Sequence, residues 1–417
     1  MGLDTATELV LCYYGTWATY RNGLGKFDVS DINTELCTHI VYTFVGINSR
    51  GTVVSLDPYL DYPDNWGKDM LRKVNALKND NPKLKTILAV GGWNEGSEKY
   101  SVMAANKKLR QNFISSAIEM IQKFGFDGLD VDWEYPNRGD SVYGEEDIQN
   151  LSQLLKELRE EFDKHKLILS AAVSYLDLIN VMAYDLSTPI DLVTGHNSPL
   201  HKGEGDDNVP KDEAYTIEAV LDYWLAQGCP PNKLVLGLPL YGHTYELTNA
   251  NNNGVRAYSN GPGIAGPHTG TRGLIGYNEM CQKLKTESWK LRNDDLAKSP
   301  YAVQGKNWVS YDNKDSIKLK VEYAVKRNIT RIMAWSIDTD DFLGLCQSED
   351  FPLLRAVNAA LGRSVSRPSS NDCSSYYYCM RSGNGDIVPK LLHCPPNLHW
   401  DQKNLYCNYP SLANCKL

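Results

Sequence analysis

The 417-residue chain has no run of 18 apolar residues, so it offers no helical membrane span. Nor does it carry an excess of basic charge. Lys and Arg number 43 against 51 Asp and Glu, a net charge of −8, which argues against the basic stripe of a nucleic-acid binder. Phenylalanine is scarce at 8 residues, while tyrosine reaches 25 and tryptophan 9. Tyr and Trp join a flat apolar face to a polar edge, which suits sugar binding as well as core packing. Hydrophobic residues at 42% and charged residues at 23% describe an ordinary globular protein. The length fits two or three domains, or one large barrel with an appendage.

Cysteine is sparse over the first 360 residues, where Cys12, Cys37, Cys229, Cys281 and Cys346 are spread widely. The other five, Cys373, Cys379, Cys394, Cys407 and Cys415, crowd the last 45 residues. A short Cys-dense tail reads as a disulfide-stapled module of a secreted protein. A zinc site is the alternative, but there is no Cys-x-x-Cys pair, and His393 and His399 have the wrong spacing. The opening Met-Gly-Leu-Asp-Thr-Ala is neither a signal peptide nor a myristoylation site. An extracellular protein is therefore expected, with its leader outside this sequence. Two Asn-x-Ser/Thr triplets, Asn150-Leu-Ser152 and Asn328-Ile-Thr330, would then be glycosylation acceptors.

Short β-branched or apolar runs alternate with amphipathic stretches. The spacing predicts strands over 9–14, 38–45, 84–91, 128–134, 167–174, 178–184, 233–241 and 331–337. Helices are predicted over 70–78, 107–124, 145–165, 213–227, 316–326 and 353–361. Eight strands with helices between them suggest an α/β fold, a (β/α)8 barrel with its site at the C-terminal ends of the strands. Between strands 7 and 8 an inserted α+β subdomain is expected at about 246–315, too long for a loop. After strand 5 a crossover helix is missing. Parallel neighbours need roughly 10–12 connecting residues, and almost none separate 174 from 178. Either one strand is displaced or the barrel opens there, with a loss of stability and activity. The catalytic-size unit spans 1–362, a polar linker 363–372, and the Cys-rich module 373–417.

The most informative segment is Phe126-Asp-Gly-Leu-Asp130-Val-Asp132-Trp-Glu134-Tyr135. Asp130, Asp132 and Glu134 alternate, so on a strand they share one face. In a barrel that face points inward, with Glu134 at the C-terminal end. Carboxylates ~6–7 Å apart repel, so a proton should be shared and one pKa raised. A raised acid beside an ionised one suits glycosidic bond cleavage. A magnesium or calcium site is the alternative on charge alone, though three acids in line cover an octahedron poorly.

Asp127-Gly-Leu-Asp-Val-Asp-Trp-Glu134 resembles the catalytic signature of family 18 glycoside hydrolases, the chitinases and chitinase-like lectins. Cys12-Tyr-Tyr-Gly-Thr-Trp17, Gly91-Gly-Trp-Asn94, Met182-Ala-Tyr-Asp185 and Met333-Ala-Trp-Ser-Ile-Asp338 extend the similarity over about 9–362. The tail resembles a peritrophin-type chitin-binding module. The resemblance implies an endo-acting chitinase that needs no metal and no cofactor. Glu134 would be the general acid, and the substrate's own N-acetyl oxygen the nucleophile. Asp132 would orient the acetamido group and exchange a proton with Asp130, and Tyr184 would hold the acetamido oxygen. Tyr14, Phe44, Trp93, Met182, Asp185, Tyr241, His243 and Trp335 would line the groove, with Trp17 a further candidate. In the tail, Tyr377, Tyr378, Trp400 and Tyr409 would bind chitin. The implied disulfides are Cys12–Cys37, Cys281–Cys346, Cys373–Cys415 and Cys394–Cys407, leaving Cys229 and Cys379 unassigned. Chitin and chito-oligosaccharides are the expected partners of a monomer, with no nucleic acid and no membrane. The family's His-Gly-Ser-Trp after strand 6 is here Ser187-Thr-Pro-Ile190, and its Tyr-Gly-Arg is Tyr241-Gly-His243. These departures keep open a lectin that binds without turnover. A hydrolase of another β-linked N-acetylglucosamine polymer is a further alternative.

Overall fold

The computed structural model describes residues 8–171, 176–210, 214–346 and 349–363, and within the tail 367–368, 373, 375–381, 387–395, 398–401, 406–410 and 413. All eight predicted runs form strands: β1 Leu9–Gly15, β2 His39–Ile47, β3 Lys85–Gly91, β4 Gly128–Asp132, β5 Ile168–Ala171, β6 Leu178–Val181, β7 Leu234–Pro239 and β8 Arg331–Trp335. They pair in parallel in chain order, and β8 closes on β1 through Leu9↔Arg331 to Cys12↔Ala334. Each strand end runs to the same mouth, so the segments after the strands assemble the site.

The barrel splits its apolar residues into two cores by the two-residue strand period. Leu11, Tyr13, Val41, Ile87, Ala89, Leu178, Val235 and Met333 fill the interior. Their neighbours Val10, Cys12, Tyr14, Ile40, Leu88, Leu129, Leu169 and Ile332 join the outer core beneath the helices. The helix Lys107–Phe124 illustrates the packing. Asn106 caps it by accepting from the Lys108 and Leu109 amides, and Gly125 ends it at φ 84°. Phe113, Ala117, Met120, Ile121 and Phe124 form its buried stripe.

The inserted subdomain sits between β7 and β8. Its sheet runs Ser259–Pro262, Tyr241–Leu247, Asn307–Ser310, Ser299–Gln304, Lys290–Asp294, with the helix Tyr277–Thr286 alongside. It starts earlier than about 246, because the strand that opens it continues directly from β7. Cys12–Cys37, Cys281–Cys346 and Cys394–Cys407 are bonded as the resemblance implied. Cys373 is disulfide-bonded, but Cys415 lies outside the described residues, and so does the side chain of Cys379. Cys229 is a free thiol.

Of the two expected outcomes, a displaced strand or an opened wall, the structure shows the first: the barrel is closed at β5–β6. The β5–β6 ladder is Ser170↔Leu178 and Ala171↔Ile179, so β6 begins level with the last residues of β5. The chain need not return to the far end of the barrel, and the requirement for a long crossover disappears. Asp177 holds the short connection. Its amide donates to the Leu169 carbonyl at 3.0 Å, and its carboxylate accepts from the Leu169 amide at 2.9 Å and from Arg159 at 2.6 Å. The outward Ile179 and Val181 are covered, lying in one buried cluster with Leu158, Phe162, Ile217 and Leu221. No crossover helix separates β5 from β6 among the described residues; 172–175 lie outside them.

Candidate active site

The three acids run up the inner face of β4 and the residues just after it. Asp130 lies deepest and is surrounded by donors. The Tyr13 hydroxyl donates to it at 2.7 Å, the Ser170 hydroxyl at 2.6 Å and the Asn180 amide at 3.1 Å. These donors satisfy the buried Asp130 carboxylate without a cation. Burial raises the pKa of Asp130 even against these donors. Burial raises Asp132 well above the usual carboxylate range, and the charges of Glu134 and Asp130 add to it. Both effects favour the protonated form of Asp132 between the two other acids. Glu134 is also raised, first by burial; the Tyr135 hydroxyl opposes this, Asp185 adds to it and Arg138 opposes it.

The approach of β3 to β4 depends on two glycines. Gly91 and Gly92 have φ of 122° and 87°, and a Cβ on Gly91 would lie 2.1 Å from the Asp132 carbonyl oxygen. The Gly92 amide donates to that carbonyl at 2.8 Å, which sets Trp93 beside the Glu134 loop. Arg138 ties the two loops together. Its Nη1 donates to the carbonyls of Glu134 at 2.9 Å and Trp93 at 3.1 Å, and its guanidinium lies 4.2 Å from the Trp93 ring centroid. Trp93 remains 60% exposed, enough to stack on a sugar.

Across the mouth, Trp335 at the end of β8 packs against Tyr13 at 5.5 Å, Phe44 at 5.9 Å and Trp17 at 6.3 Å between ring centroids. Trp17 and Phe44 are stacked at 15°. Arg21 pairs with the buried Asp338 at 2.8 Å, holding the loop that carries Trp17 next to the β8 loop. Cis peptide bonds occur at Thr43–Phe44, Glu134–Tyr135 and Trp335–Ser336, all at this end of the barrel.

The segment after β6 supplies the other wall. Met182 and Tyr184 pack in the interior cluster, and the Tyr184 ring meets Tyr241 edge-on at 6.2 Å. Asp185, at φ 56°, accepts from the Tyr241 hydroxyl at 2.5 Å and faces His243 Nε2 at 2.8 Å. Burial works against its charge, but His243 and Tyr241 hold its pKa below the ordinary value. His243 is thus a buried partner of Asp185 in this wall.

One groove residue is misplaced by the sequence reading. Tyr14 is wholly buried and faces the outer core, against Phe27 and Tyr42. Its neighbour Tyr13 is the inward residue. Tyr13, Ser170, Asn180 and Arg138 were not foreseen. The inward face of the first three is set by long-range strand register, which spacing alone does not give, and Arg138 sits in a loop, where no period operates.

In the tail, Trp400 is 4% exposed and its amide donates to the Cys373 carbonyl. Its ring is therefore core, not a chitin-facing surface. Tyr409 is 67% exposed. The side chains of Tyr377 and Tyr378 lie outside the described residues.

Residues 9–340 match Glycosyl hydrolases family 18. The chain belongs to that family. Residues 362–415 match the Chitin binding Peritrophin-A domain. Probable chitinase 2 of Drosophila melanogaster is 38% identical over 400 residues, covering 85% of this chain and 80% of that protein. The crystal structure of the Group IV chitinase of Ostrinia furnacalis with allosamidin is 51% identical with a TM-score of 0.83, covering 85% of this chain and 99% of that one. Human YKL-39, described as a pseudo-chitinase with retained chitooligosaccharide binding, is 34% identical with a TM-score of 0.77, covering 85% and 100%. The family 18 chain is thus similar both to chitinases and to a relative described as a pseudo-chitinase.

Proposed function

We propose that this family 18 chain is an active, extracellular endochitinase that cleaves β-1,4-linked N-acetylglucosamine polymers with retention, assisted by the substrate. The observation that carries the reading is the graded acid trio. A half-buried Glu134, its pKa raised by burial, stands at the mouth, above Asp132, raised by burial and by its two acidic neighbours, and a donor-bound Asp130. Glu134 gives its proton to the glycosidic oxygen as that bond breaks. The acetamido oxygen of the sugar over Trp335 attacks the anomeric carbon and forms an oxazolinium ion. Asp132 passes its proton to Asp130 and accepts the acetamido N–H, favouring the charge that develops. Tyr184 places the acetamido oxygen. Water then opens the ring, giving its proton to Glu134, while the proton on Asp130 returns to Asp132, so both acids are restored. The peritrophin-type tail keeps the enzyme on the polymer, and the protein acts as a monomer.

The test is hydrolysis of chitotetraose beside cellotetraose by the purified chain. Chitotetraose should be cleaved and cellotetraose left intact, because only the former carries the nucleophile. Binding of chitotetraose without cleavage would give the lectin reading instead. Cleavage of cellotetraose at a comparable rate would remove the acetamido mechanism.

A further inference from the structure

The two glycosylation triplets differ in the folded chain, and the difference selects one of them. We propose that Asn328 is an N-glycosylation site and that Asn150 is not; this rests on the reading that the chain passes through the secretory pathway. The donor class is an oligosaccharide on a polyprenyl diphosphate. A bond forms between Asn Nδ2 and the anomeric carbon, the diphosphate leaves with the electron pair, and the amide loses a proton.

Asn328 is exposed, in the turn between the helix Lys314–Val325 and β8. Its φ of 62° lies in the left-handed region, which Asn tolerates better than most residues. The turn is rigid. The Asn328 amide donates to the Val325 carbonyl at 2.9 Å and the Ile329 amide to the Ala324 carbonyl at 3.0 Å, while Ile329 is wholly buried. The side chain of Asn328 therefore projects from a fixed base. The third residue of the triplet, Thr330, has a buried hydroxyl with no hydrogen-bond partner. A buried unpaired hydroxyl costs stability, so the fold does not account for it, whereas recognition of the triplet before folding does. Asn328 also precedes β8, at the end of the barrel opposite the mouth. A glycan there leaves the groove open to a polymer.

Asn150 has the opposite setting. It lies within the helix Glu146–His165, where its Nδ2 is buried and without a partner. Ser152 donates its hydroxyl back to the Ile148 carbonyl at 2.9 Å. A sugar on Nδ2 would have to displace packed atoms or bury its own hydroxyls, which is costly. A chain glycosylated there could not dock this helix, whose Leu151, Leu154, Leu155, Leu158 and Phe162 face the core. Such molecules would be lost before release.

The experiment secretes the full chain from eukaryotic cells behind a grafted leader. The leader carries the chain into the pathway whatever its natural destination, so a failure of the secretion reading does not disguise itself as a failure of the site. The released protein is treated with a glycan-removing amidase in heavy-oxygen water, and the Asn-to-Asp conversion is mapped by mass spectrometry. Conversion at Asn328 and none at Asn150 is expected. Asn328→Gln and Thr330→Ala should each abolish the single mobility shift, whereas Asn150→Gln should leave it. Asn328→Gln should keep its turnover of soluble chito-oligosaccharide. A released chain without conversion at Asn328, or one converted at Asn150, would overturn the proposal.

Discussion

Glu134→Gln is expected to lower kcat on chito-oligosaccharides by on the order of 10²–10⁴, the usual contribution of a general acid. The amide keeps the shape of the side chain and loses its proton, so oligosaccharide affinity should change little. Burial raises the Glu134 pKa. The wild-type kcat/KM should therefore fall as pH rises through a value above the ordinary glutamate range, as the acid loses its proton. The residual activity of the variant should lack that limb. Steady-state kinetics across pH, with calorimetric binding of a chito-oligosaccharide, check both points. A variant that keeps more than a tenth of wild-type turnover would remove Glu134 as the acid.

Asp132→Asn should lower kcat by on the order of 10²–10³, the scale of one preorganised electrostatic group. Its proton is held by burial and by acids on both sides. In the proposed mechanism that proton moves to Asp130, and an amide cannot release it. The same substitution should not reduce the melting temperature, because a neutral amide replaces an acid buried between two others. Loss of rate without loss of stability separates a catalytic role from a packing role. A rate within tenfold of wild type would place the negative charge of the intermediate's partner elsewhere.

Much of this architecture is readable from residue order. Most barrel strands show as apolar runs, and the alternation of Asp130, Asp132 and Glu134 puts those acids on one face without any coordinates. Tyr13 and Tyr14 show where that ends. Both faces of a barrel strand are buried, one by interior side chains and one by helices. In Leu9–Gly15 no apolar–polar alternation survives to say which tyrosine points inward. The register that decides it comes from closure on β8 and β2, a long-range fact. Ser170 and Asn180 were hidden for the same reason: each is an ordinary polar residue until the sheet sets it against Asp130. At the β5–β6 connection the sequence left two outcomes open, a displaced strand or an opened wall, because spacing alone does not set the register of neighbouring strands. The stagger of β6 relative to β5 shortens the return path, and Asp177 staples it. Trp400 shows the same limit in the tail: aromatic residues in a small module serve both as core and as surface, and composition does not separate the two.

The central claim is that the substrate's acetamido group, with Glu134 as acid, performs the displacement at the anomeric carbon. The measurement closest to it is the anomeric form of the product in the first minutes of chitotetraose hydrolysis, read by proton NMR before mutarotation mixes the forms. Two displacements at one carbon, the first by the acetamido oxygen and the second by water, restore the original configuration. The account predicts that the new reducing ends appear as the β anomer. New ends that appear as the α anomer, or no new ends at all, would contradict it.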